Sequence, residues 1–430
     1  MDARIDRALF VFALVVWCVA IIAQLAIAMP LRHDEAAYVV GAQRWLAGAQ
    51  NEWLYRSIGT ELLALPGVAA GASPTWIRVV PALFTLLVPI GAWALARAAF
   101  PDRNVGGWAS AVIAGAYPMQ IVVGDILGDL PAAGLILVGL AILVREIERP
   151  SWRLALAAVA CVAGFYVRYG SAPALMTIAG ATVLFFPRWR SLLLLAVVTV
   201  LLAIPHLWFS HAHTGAALGV LEVAAHSTKL DYVGQGLVTY VTANPLYYYG
   251  LLVAPVMLLG LAGTIAVREK HARYIGVIAI GTLLLLGLRS HAQPRYAFLV
   301  VSLLVVVGVA LLARLLAARP RAQKLAALVV VVGAVASLVW TVRAQRLRVA
   351  APAYIASLGE AIRKDAHGPC RLEAVRTPQL IYYSGCVPSH WPDASPTTKL
   401  YVVSLPDHPS EPRPGAVPLA GTSGFVQITN

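Results

Sequence analysis

Residues 9–35 read LFVFALVVWCVAIIAQLAIAMPLRHDE, a long apolar segment followed closely by two adjacent acids. Its apolar part, about Leu9 to Met29, is long enough to cross a bilayer and lacks the small-residue cleavage site of a signal peptide, so we expect a retained first span. A carboxylate pair beside hydrocarbon is costly unless it lies in a wet or polar cavity. Asp34 and Glu35 therefore indicate a functional site at a membrane surface.

The composition is that of a membrane protein. Of 430 residues, 60% are hydrophobic and 12% are charged, and the mean hydropathy is +0.76, far from the balance of a soluble domain. The net charge of +13 could suggest nucleic acid, but the basic residues form short clusters at the ends of apolar runs, which is how membrane topology is encoded. We therefore expect membrane lipids, and no nucleic acid, among the partners.

Apolar runs of about 17 to 25 residues give eleven candidate membrane spans. They cover approximately residues 9–29, 76–96, 107–124, 127–144, 154–169, 171–187, 191–210, 246–267, 274–289, 296–316 and 325–342. This pattern predicts an all-α polytopic module over residues 1–342.

The basic residues predict the orientation of this module. Sixteen lie at the span ends that are cytoplasmic if the N-terminus is inside, against eight at the opposite ends and loops before residue 343. This two-to-one bias follows the positive-inside rule. It predicts a cytoplasmic N-terminus, and the odd number of spans places the C-terminal tail on the outer face.

The tail, residues 343–430, differs in character, because apolar runs shorten and Pro and Ser become frequent. We expect an amphipathic helix around residues 353–365 and strands at residues 371–375, 399–405 and 425–429. The sequence thus predicts a small extracytoplasmic α/β domain. Its two cysteines lack metal-ligand spacing and would lie in an oxidising compartment, which favours a disulfide between Cys370 and Cys386.

Two loops on the predicted outer face are long, residues 30–75 and 211–243, whereas the predicted cytoplasmic loops are short. In the first loop we expect two short interfacial helices, at residues 35–47 and 60–68, the second broken by a proline near its end. The second loop carries Lys229 and three histidines. The histidines are His211, His213 and His226. They are either metal ligands, although their spacing matches no firm motif, or residues of an ordinary interfacial loop.

Two pairs of acids stand at span ends on the predicted outer face. Asp34 could act as a general base towards a hydroxyl, with Glu35 orienting a metal, an arginine or the substrate. The alternative is a helix start, with Asp34 as the N-cap and Glu35 favoured by the helix dipole. Asp125 and Asp129 lie between the third and fourth predicted spans, where one acid could cap the fourth span while the other serves a site.

Arginine also recurs on this face, where topology disfavours it. Arg168 follows the fifth predicted span and Arg295 begins the tenth; a guanidinium offers phosphate a planar fork that is always charged. The alternative for each is snorkelling to lipid phosphates. Tyr247, in residues 244–249 at the entry to the eighth span, is either part of an interfacial aromatic belt or a sugar or lipid contact.

With these residues in place, the chain resembles the membrane-embedded glycosyltransferases of the GT-C superfamily, and most of all the bacterial branch related to protein O-mannosyltransferases and lipid A aminoarabinose transferases. The resemblance covers the topology of residues 1 to about 342. Its motifs are Asp34-Glu35-Ala36-Ala37-Tyr38 followed by Gly48, then Gly128-Asp129-Leu130-Pro131, and then Arg295-Tyr296. The resemblance depends on the order of these motifs in the chain, together with the side of the membrane and the depth at which each is expected to lie.

The resemblance implies an inverting transfer of a sugar from a polyprenyl-phosphate donor to a lipid, glycan or protein acceptor at the outer face of the bacterial inner membrane. It implies Asp34 as the catalytic base, Asp129 as a residue that positions donor or acceptor, and Glu35 as support for the same pocket. Arg295, with Arg168 and Tyr296, would bind the leaving phosphate, where fixed cations help the transition state more than the ground state. The weaker candidates for substrate binding are His33, Tyr38, Asp125, Arg56, Lys229 and Tyr247.

The chain departs from the family pattern in two features. The outer-loop lysine-proline element of many relatives is missing, and around residues 53–57 the chain offers only Arg56, which leaves the donor class and the acceptor open. The predicted C-terminal domain is also shorter than the extracellular modules of some relatives. Metal dependence varies across the superfamily, so a divalent cation stays open as a cofactor.

Two other functions compete with sugar transfer. A transporter or flippase of a lipid-linked saccharide would place ionisable groups near the bilayer midplane and interrupt related helices, whereas the acids here cluster at one interface. A non-catalytic assembly factor that docks through its outer domain leaves the pairing of Asp34 with Asp129 unexplained. The sequence therefore favours a glycosyltransferase over both.

Overall fold

The computed structural model describes residues 1–49, 53–148, 151–226, 230–266, 268–374, 377–404, 417–419 and 426–429, so the predicted site residue Lys229 lies outside the described residues. The α-helices are, in chain order, α1 (Ala3–Ala26), α2 (His33–Leu46), α3 (Ile58–Ala69), α4 (Pro74–Ile77), α5 (Val79–Thr85), α6 (Leu87–Ala99), α7 (Gly106–Ala114), α8 (Tyr117–Gln120), α9 (Asp129–Glu146), α10 (Arg153–Val167), α11 (Ala172–Phe185), α12 (Trp189–Thr214), α13 (Gly219–His226), α14 (Gln235–Thr242), α15 (Pro245–Tyr248), α16 (Val253–Ala266), α17 (Lys270–Arg289), α18 (Phe298–Leu316), α19 (Pro320–Leu347), α20 (Ala350–Ala366) and α21 (Thr377–Ser384). Short 3-10 helices occupy Tyr169–Ser171 and Pro294–Ala297. The strands are β1 (Arg371–Ala374), β2 (Val387–Pro388), β3 (Leu400–Val403), β4 (Val417–Pro418) and β5 (Val426–Thr429).

The apolar helices make this a multi-pass membrane protein. Six helical segments of the described ranges are long and apolar enough to cross a bilayer: Ala3–Ala26, Pro74–Ala99, Trp189–Thr214, Lys270–Arg289, Pro294–Leu316 and Pro320–Ala366. Four further apolar helices are shorter: Ile58–Ala69, Arg153–Val167, Tyr169–Phe185 and Val253–Ala266. The helical class is as predicted, but the number of eleven spans is not confirmed.

One predicted span, residues 107–124, is not a single helix. α7 stops before Gly115, and the short α8 starts with Pro118 in its first turn. Proline has no N–H to donate and fits the first turn of a helix, so it begins a new helix rather than extending the old one. Hydropathy alone does not register this break, because the whole segment is apolar.

The chain divides into two compact units. The first contains Met1–Ala23, Leu54–Thr60 and Pro81–Arg343, and the second contains Gln24–Trp53, Glu61–Val80 and Ala344–Asn430. Residues 30–53 and most of α3 thus share a unit with the C-terminal tail. The predicted site residues are divided between the units, with Asp34 and Glu35 in the second and Asp129, Arg168, Arg295 and Tyr296 in the first.

The first unit is built around α18. This helix is buried along most of its length and packs against α6, α7, α9, α16 and α17. Close packing with α16 depends on small residues, because a Cβ at Gly260 would collide with the backbone of Leu304, and a Cβ at Gly308 with the backbone of Val256. Lipid offers little hydrophobic drive for helix association, so such close backbone approach supplies the packing energy.

The second unit contains a five-stranded sheet in the order β2-β1-β3-β5-β4. β1 runs parallel to β2 and β3, whereas β5 runs antiparallel to β3 and β4. Strands lie in all three segments predicted to form them; Val375, Leu405 and Phe425 at the predicted strand ends lie outside the described residues. β2 and β4 are only two residues long, so the sequence has no alternation of apolar and polar residues there from which a strand could be predicted.

The core of the second unit joins residues from distant parts of the sequence. α2 and α20 both pack on α21, and Val40 of α2 lies in the same apolar cluster as Ile355, Leu380 and Tyr401. Cys370 and Cys386 form a disulfide in this cluster. Every residue of α2 from Glu35 to Ala42 is buried, so this part of the helix packs against protein. α3 also runs through Pro66 rather than ending there.

Candidate active site

Asp129 is the first residue of α9 and is buried, with 6% of its surface exposed. One carboxylate oxygen, Oδ1, lies 3.1 Å from Nε of Arg168. The other oxygen, Oδ2, is buried without a hydrogen-bond partner among the described residues. A buried carboxylate oxygen without a partner is costly, so Asp129 has an acceptor that a substrate hydroxyl could satisfy.

Arg168 is held in place by the turn that follows α10. Its backbone N–H bonds to the carbonyl of Gly164, which ends the helix, and the next N–H, of Tyr169, donates to Oγ of Ser57 at 2.9 Å. The Arg168 guanidinium lies 5.0 Å from the centre of the Tyr296 ring. This distance is within the range of a cation–π contact, so Arg168 links Asp129 to Tyr296.

Arg295 and Tyr296 lie in the 3-10 turn that precedes α18. The Arg295 guanidinium is 5.6 Å from the same Tyr296 ring, and its Nε donates to Oε1 of Gln293 at 2.7 Å. The Gln293 amide lies in turn 2.8 Å from Nε2 of His291. One aromatic ring therefore has two guanidinium groups beside it, each with its orientation restrained by a further polar contact.

Three tyrosines support the backbone that leads into this turn. The hydroxyls of Tyr240 and Tyr248 donate to the carbonyls of Gln293 and Ala292, each at 3.5 Å, and the hydroxyl of Tyr249 donates to the carbonyl of Tyr240 at 2.8 Å. The tyrosine-rich segment thus positions the turn.

We call Arg168, Tyr296, Arg295 and Asp129 together the cationic cluster. It contains two permanent positive charges and one carboxylate on neighbouring, partly buried side chains. Planar guanidinium groups match the oxygens of a phosphate, and a partly desolvated setting strengthens that attraction. The arrangement can bind a phosphate while Asp129 accepts a hydrogen bond from a neighbouring hydroxyl.

In the second unit, Glu35 forms a bidentate ion pair with Arg78. Nε of Arg78 donates to Oε1 at 2.8 Å and Nη2 donates to Oε2 at 2.9 Å, and both side chains are almost fully buried. Burial by itself would raise the pKa of Glu35, but the charge and hydrogen bonds of Arg78, with a smaller effect of Arg32, lower it from 4.5 to about 2. Glu35 is therefore ionised, and both of its carboxylate oxygens accept hydrogen bonds from Arg78.

The N-terminus of α2 distinguishes the two acids. Arg32, not Asp34, is the N-cap, and the Glu35 carboxylate accepts the backbone N–H of Arg32 at 2.9 Å in a capping-box arrangement. The capping interpretation thus applies to Glu35, whereas Asp34 is not the N-cap. Asp34 is the second residue of the helix and is partly exposed.

The weaker candidates do not form one group. His33 is the partly exposed first residue of α2, and Tyr38 is buried within that helix. Asp125 is buried in the first unit before α9, while Arg56 lies with its guanidinium 5.1 Å from the ring of Tyr55. The Tyr247 side chain is 62% exposed, and its ring contacts that of Tyr248.

Several residues of these sites carry no sequence signal of a role. Arg78 looks like an ordinary basic residue near a span end, and Gln293 and His291 are polar residues just before a proline. Their roles depend on partners at other positions in the chain, such as Glu35 for Arg78. Within the described ranges, no group of three or more His, Cys, Asp or Glu side chains is arranged to hold a metal ion.

No protein-family model matches this chain, and no curated protein sequence matches it. Its fold is similar to that of ArnT from Cupriavidus metallidurans, with a TM-score of 0.69 for the form bound to undecaprenyl phosphate and 0.65 for the apo form. Identity is 15% and 16%, over 98% of this chain and 97% of that chain. An oligosaccharyltransferase from Archaeoglobus fulgidus, tethered to an acceptor peptide, matches with a TM-score of 0.52 and 10% identity over 87% of this chain and 63% of that chain. The expected polytopic, mostly helical fold is thereby confirmed as similar to that of ArnT.

Proposed function

We propose that this chain is an inverting membrane glycosyltransferase that moves a sugar from a polyprenyl-phosphate donor to an acceptor hydroxyl. The cationic cluster carries the proposal, because it combines two arginines that suit a phosphate with an aspartate whose second oxygen is available. The similarity of fold to ArnT, whose structure was solved with undecaprenyl phosphate, supports a lipid phosphate as the ligand. The acceptor is a lipid, a glycan or a protein.

The proposed step uses Asp34 as the general base. Asp34 takes the proton of the acceptor hydroxyl while that oxygen attacks the anomeric carbon of the donor sugar. The bond between the anomeric carbon and the phosphate oxygen breaks, and the electron pair leaves with the polyprenyl phosphate. Arg168 and Arg295 stabilise the negative charge that grows on this phosphate, and Asp129 accepts a sugar hydroxyl.

We assign Glu35 a positioning role in this step. Both of its carboxylate oxygens are bound by Arg78, and the residue is fully buried. A carboxylate held in this way cannot also take a proton from the acceptor without losing its partner. The contribution of Glu35 is therefore to the backbone that carries Asp34.

We place the reaction on the periplasmic face of the bacterial inner membrane. The distribution of basic residues supports a cytoplasmic N-terminus. The disulfide between Cys370 and Cys386 supports an oxidising compartment for the tail. Transfer is favoured over transport because Asp129, Arg168 and Arg295 lie at or beside helix ends rather than at mid-helix.

The test is sugar transfer by the purified protein in detergent, with a panel of polyprenyl-phosphate sugars as donors and envelope lipids and glycans as acceptors. We expect one donor to be consumed with release of polyprenyl phosphate, and Asp34→Asn to slow this about 10²- to 10⁴-fold, the usual effect of a lost general base. Asp102→Asn, which makes the same change at an exposed turn, is the control and should retain the wild-type rate. Binding of a donor without consumption of any, across all acceptors, would contradict the enzyme and favour a transporter.

A further inference from the structure

The segment just before Asp34 has its backbone held by side chains from two other parts of the chain. Arg78, besides pairing with Glu35, donates to the carbonyl of Met29 and to that of Pro30, the latter at 3.1 Å. The hydroxyl of Tyr383 accepts the backbone N–H of Leu31 at 2.7 Å. These contacts restrain three successive residues of an irregular segment that would otherwise need water to satisfy its polar groups.

A fourth contact completes this arrangement. The side-chain amide of Gln379 donates to the carbonyl of Leu31 at 2.9 Å, and Gln379 and Leu31 are both buried. Both backbone polar groups of Leu31 are thus bound by α21, a helix about 350 positions further along the chain. We call Arg78, Gln379 and Tyr383 the backbone clamp.

α21 is itself well fixed in the second unit. Gln379 and Tyr383 are four residues apart, so they lie on the same face of the helix. The helix lies inside the loop closed by the disulfide between Cys370 and Cys386. α20 crosses so close that a Cβ at Gly359 would lie 2.6 Å from Cβ of Tyr383. The tail therefore presents Gln379 and Tyr383 from a rigid support.

We propose that the backbone clamp positions Asp34 for catalysis, so that the C-terminal tail is a working part of the active site rather than a docking module. Leu31 is held on one side of Asp34 and Glu35 on the other, so the Asp34 Cα has little freedom to move. This inference rests on the proposed function, since it takes Asp34 as the base. Gln379, Tyr383 and Arg78 are positioning residues, because they act through Asp34.

Positioning of this kind has a measurable consequence. Displacement of a reacting group by about 1 Å can lower the rate about 10²-fold, whereas donor binding elsewhere in the protein need not change. Loss of the Tyr383 hydroxyl leaves the Leu31 N–H without its acceptor and removes no other group. We therefore expect Tyr383→Phe to lower kcat about 10-fold, with little change in the KM for the donor.

The test measures donor consumption by the full-length wild type, Tyr383→Phe, Tyr382→Phe, Asp34→Asn and the Tyr383→Phe/Asp34→Asn double variant, together with the melting temperature of each. Tyr382→Phe is the matched control, because it removes a hydroxyl from the adjacent residue of α21 and leaves the Leu31 N–H paired. We expect its kcat to equal that of the wild type. The double variant should be no slower than Asp34→Asn alone, because Tyr383 acts through Asp34.

The outcomes separate the inference from the proposed function. If the wild type transfers sugar and Asp34→Asn does not, but Tyr383→Phe has full kcat, the clamp does not position the base and the inference is overturned. If the two substitutions multiply their effects, Tyr383 acts on general stability and not through Asp34, which also overturns it. If the wild type consumes no donor, the proposed function fails, and the inference fails with it.

Discussion

Glu35 and Asp129 are both acids in the first turn of a helix, and both pair with an arginine, yet their surroundings differ. Glu35 is fully buried with both oxygens bound by Arg78. Asp129 uses only Oδ1 for Arg168, and its Oδ2 is buried without a hydrogen-bond partner among the described residues. In the glutamate–arginine pair both carboxylate oxygens are bound, whereas in the aspartate–arginine pair only one of the two is bound by the arginine.

This difference separates a structural carboxylate from one available to a substrate. A buried ion pair with every polar atom satisfied fixes the backbone around it, and removal of one partner is strongly destabilising. A carboxylate with an unsatisfied oxygen carries a standing cost that a bound hydroxyl would remove. We therefore expect changes at the Glu35 pair to alter stability first, and changes at Asp129 to alter transfer first.

The largest effect should come from breaking the glutamate–arginine pair. Arg78→Met removes the guanidinium but keeps an apolar side chain of similar length, so Glu35 remains buried without its charge partner. We expect a loss of about 3–5 kcal/mol in the free energy of unfolding, the usual penalty for an orphaned buried charge, seen as a large drop in melting temperature in detergent. Arg168→Met, at the pair in which Oδ2 of Asp129 has no hydrogen-bond partner among the described residues, is the control. An equal loss of unfolding free energy in both variants would show that the two pairs contribute equally to stability.

Acid should weaken the Glu35 pair without any substitution. Because the pKa of Glu35 falls from 4.5 to about 2 on folding, its ionised form favours the folded state above pH 4.5, and this contribution is lost as the pH falls from 4.5 towards 2. The melting temperature of the wild type should therefore decline over that window. Glu35→Gln has no such group to protonate, so its melting temperature should depend less on pH there. Parallel curves for the two proteins would contradict the assigned pKa.

Much of the helical framework was predictable because hydrophobicity determines which segments enter a membrane. Predicted spans at residues 9–29 and 325–342 correspond to α1 and α19, although both helices run into polar flanks. Backbone hydrogen bonds continue a helix beyond its apolar part, so hydropathy marks the centre of a span better than its ends. The number of spans is harder to predict, because turns and prolines interrupt apolar segments without changing their composition, as at residues 107–124.

The sites were predictable to the extent that charge and position in the chain reveal them. Arg168, Arg295 and Asp129 stand out because they are charged residues on the predicted outer face, where the topology disfavours arginine, and the structure brings them together. The backbone clamp could not be predicted, because Gln379 and Tyr383 are uncharged and bind a backbone about 350 positions away. Pairings of that kind depend on tertiary packing, which leaves no local pattern.

The aspartate–arginine pair gives the last prediction, and the smallest effect. Asp129→Asn keeps the shape of the side chain but removes its charge, which weakens both the contact with Arg168 and the hydrogen bond to a sugar hydroxyl. A hydrogen bond to a charged group contributes about 1.5–3 kcal/mol, so we expect kcat/KM for the donor to fall about 10- to 100-fold. The melting temperature should change little, in contrast to Glu35→Gln. If Asp129→Asn instead loses stability and keeps its rate, then Asp129 is structural like Glu35, and the available oxygen does not contact the substrate.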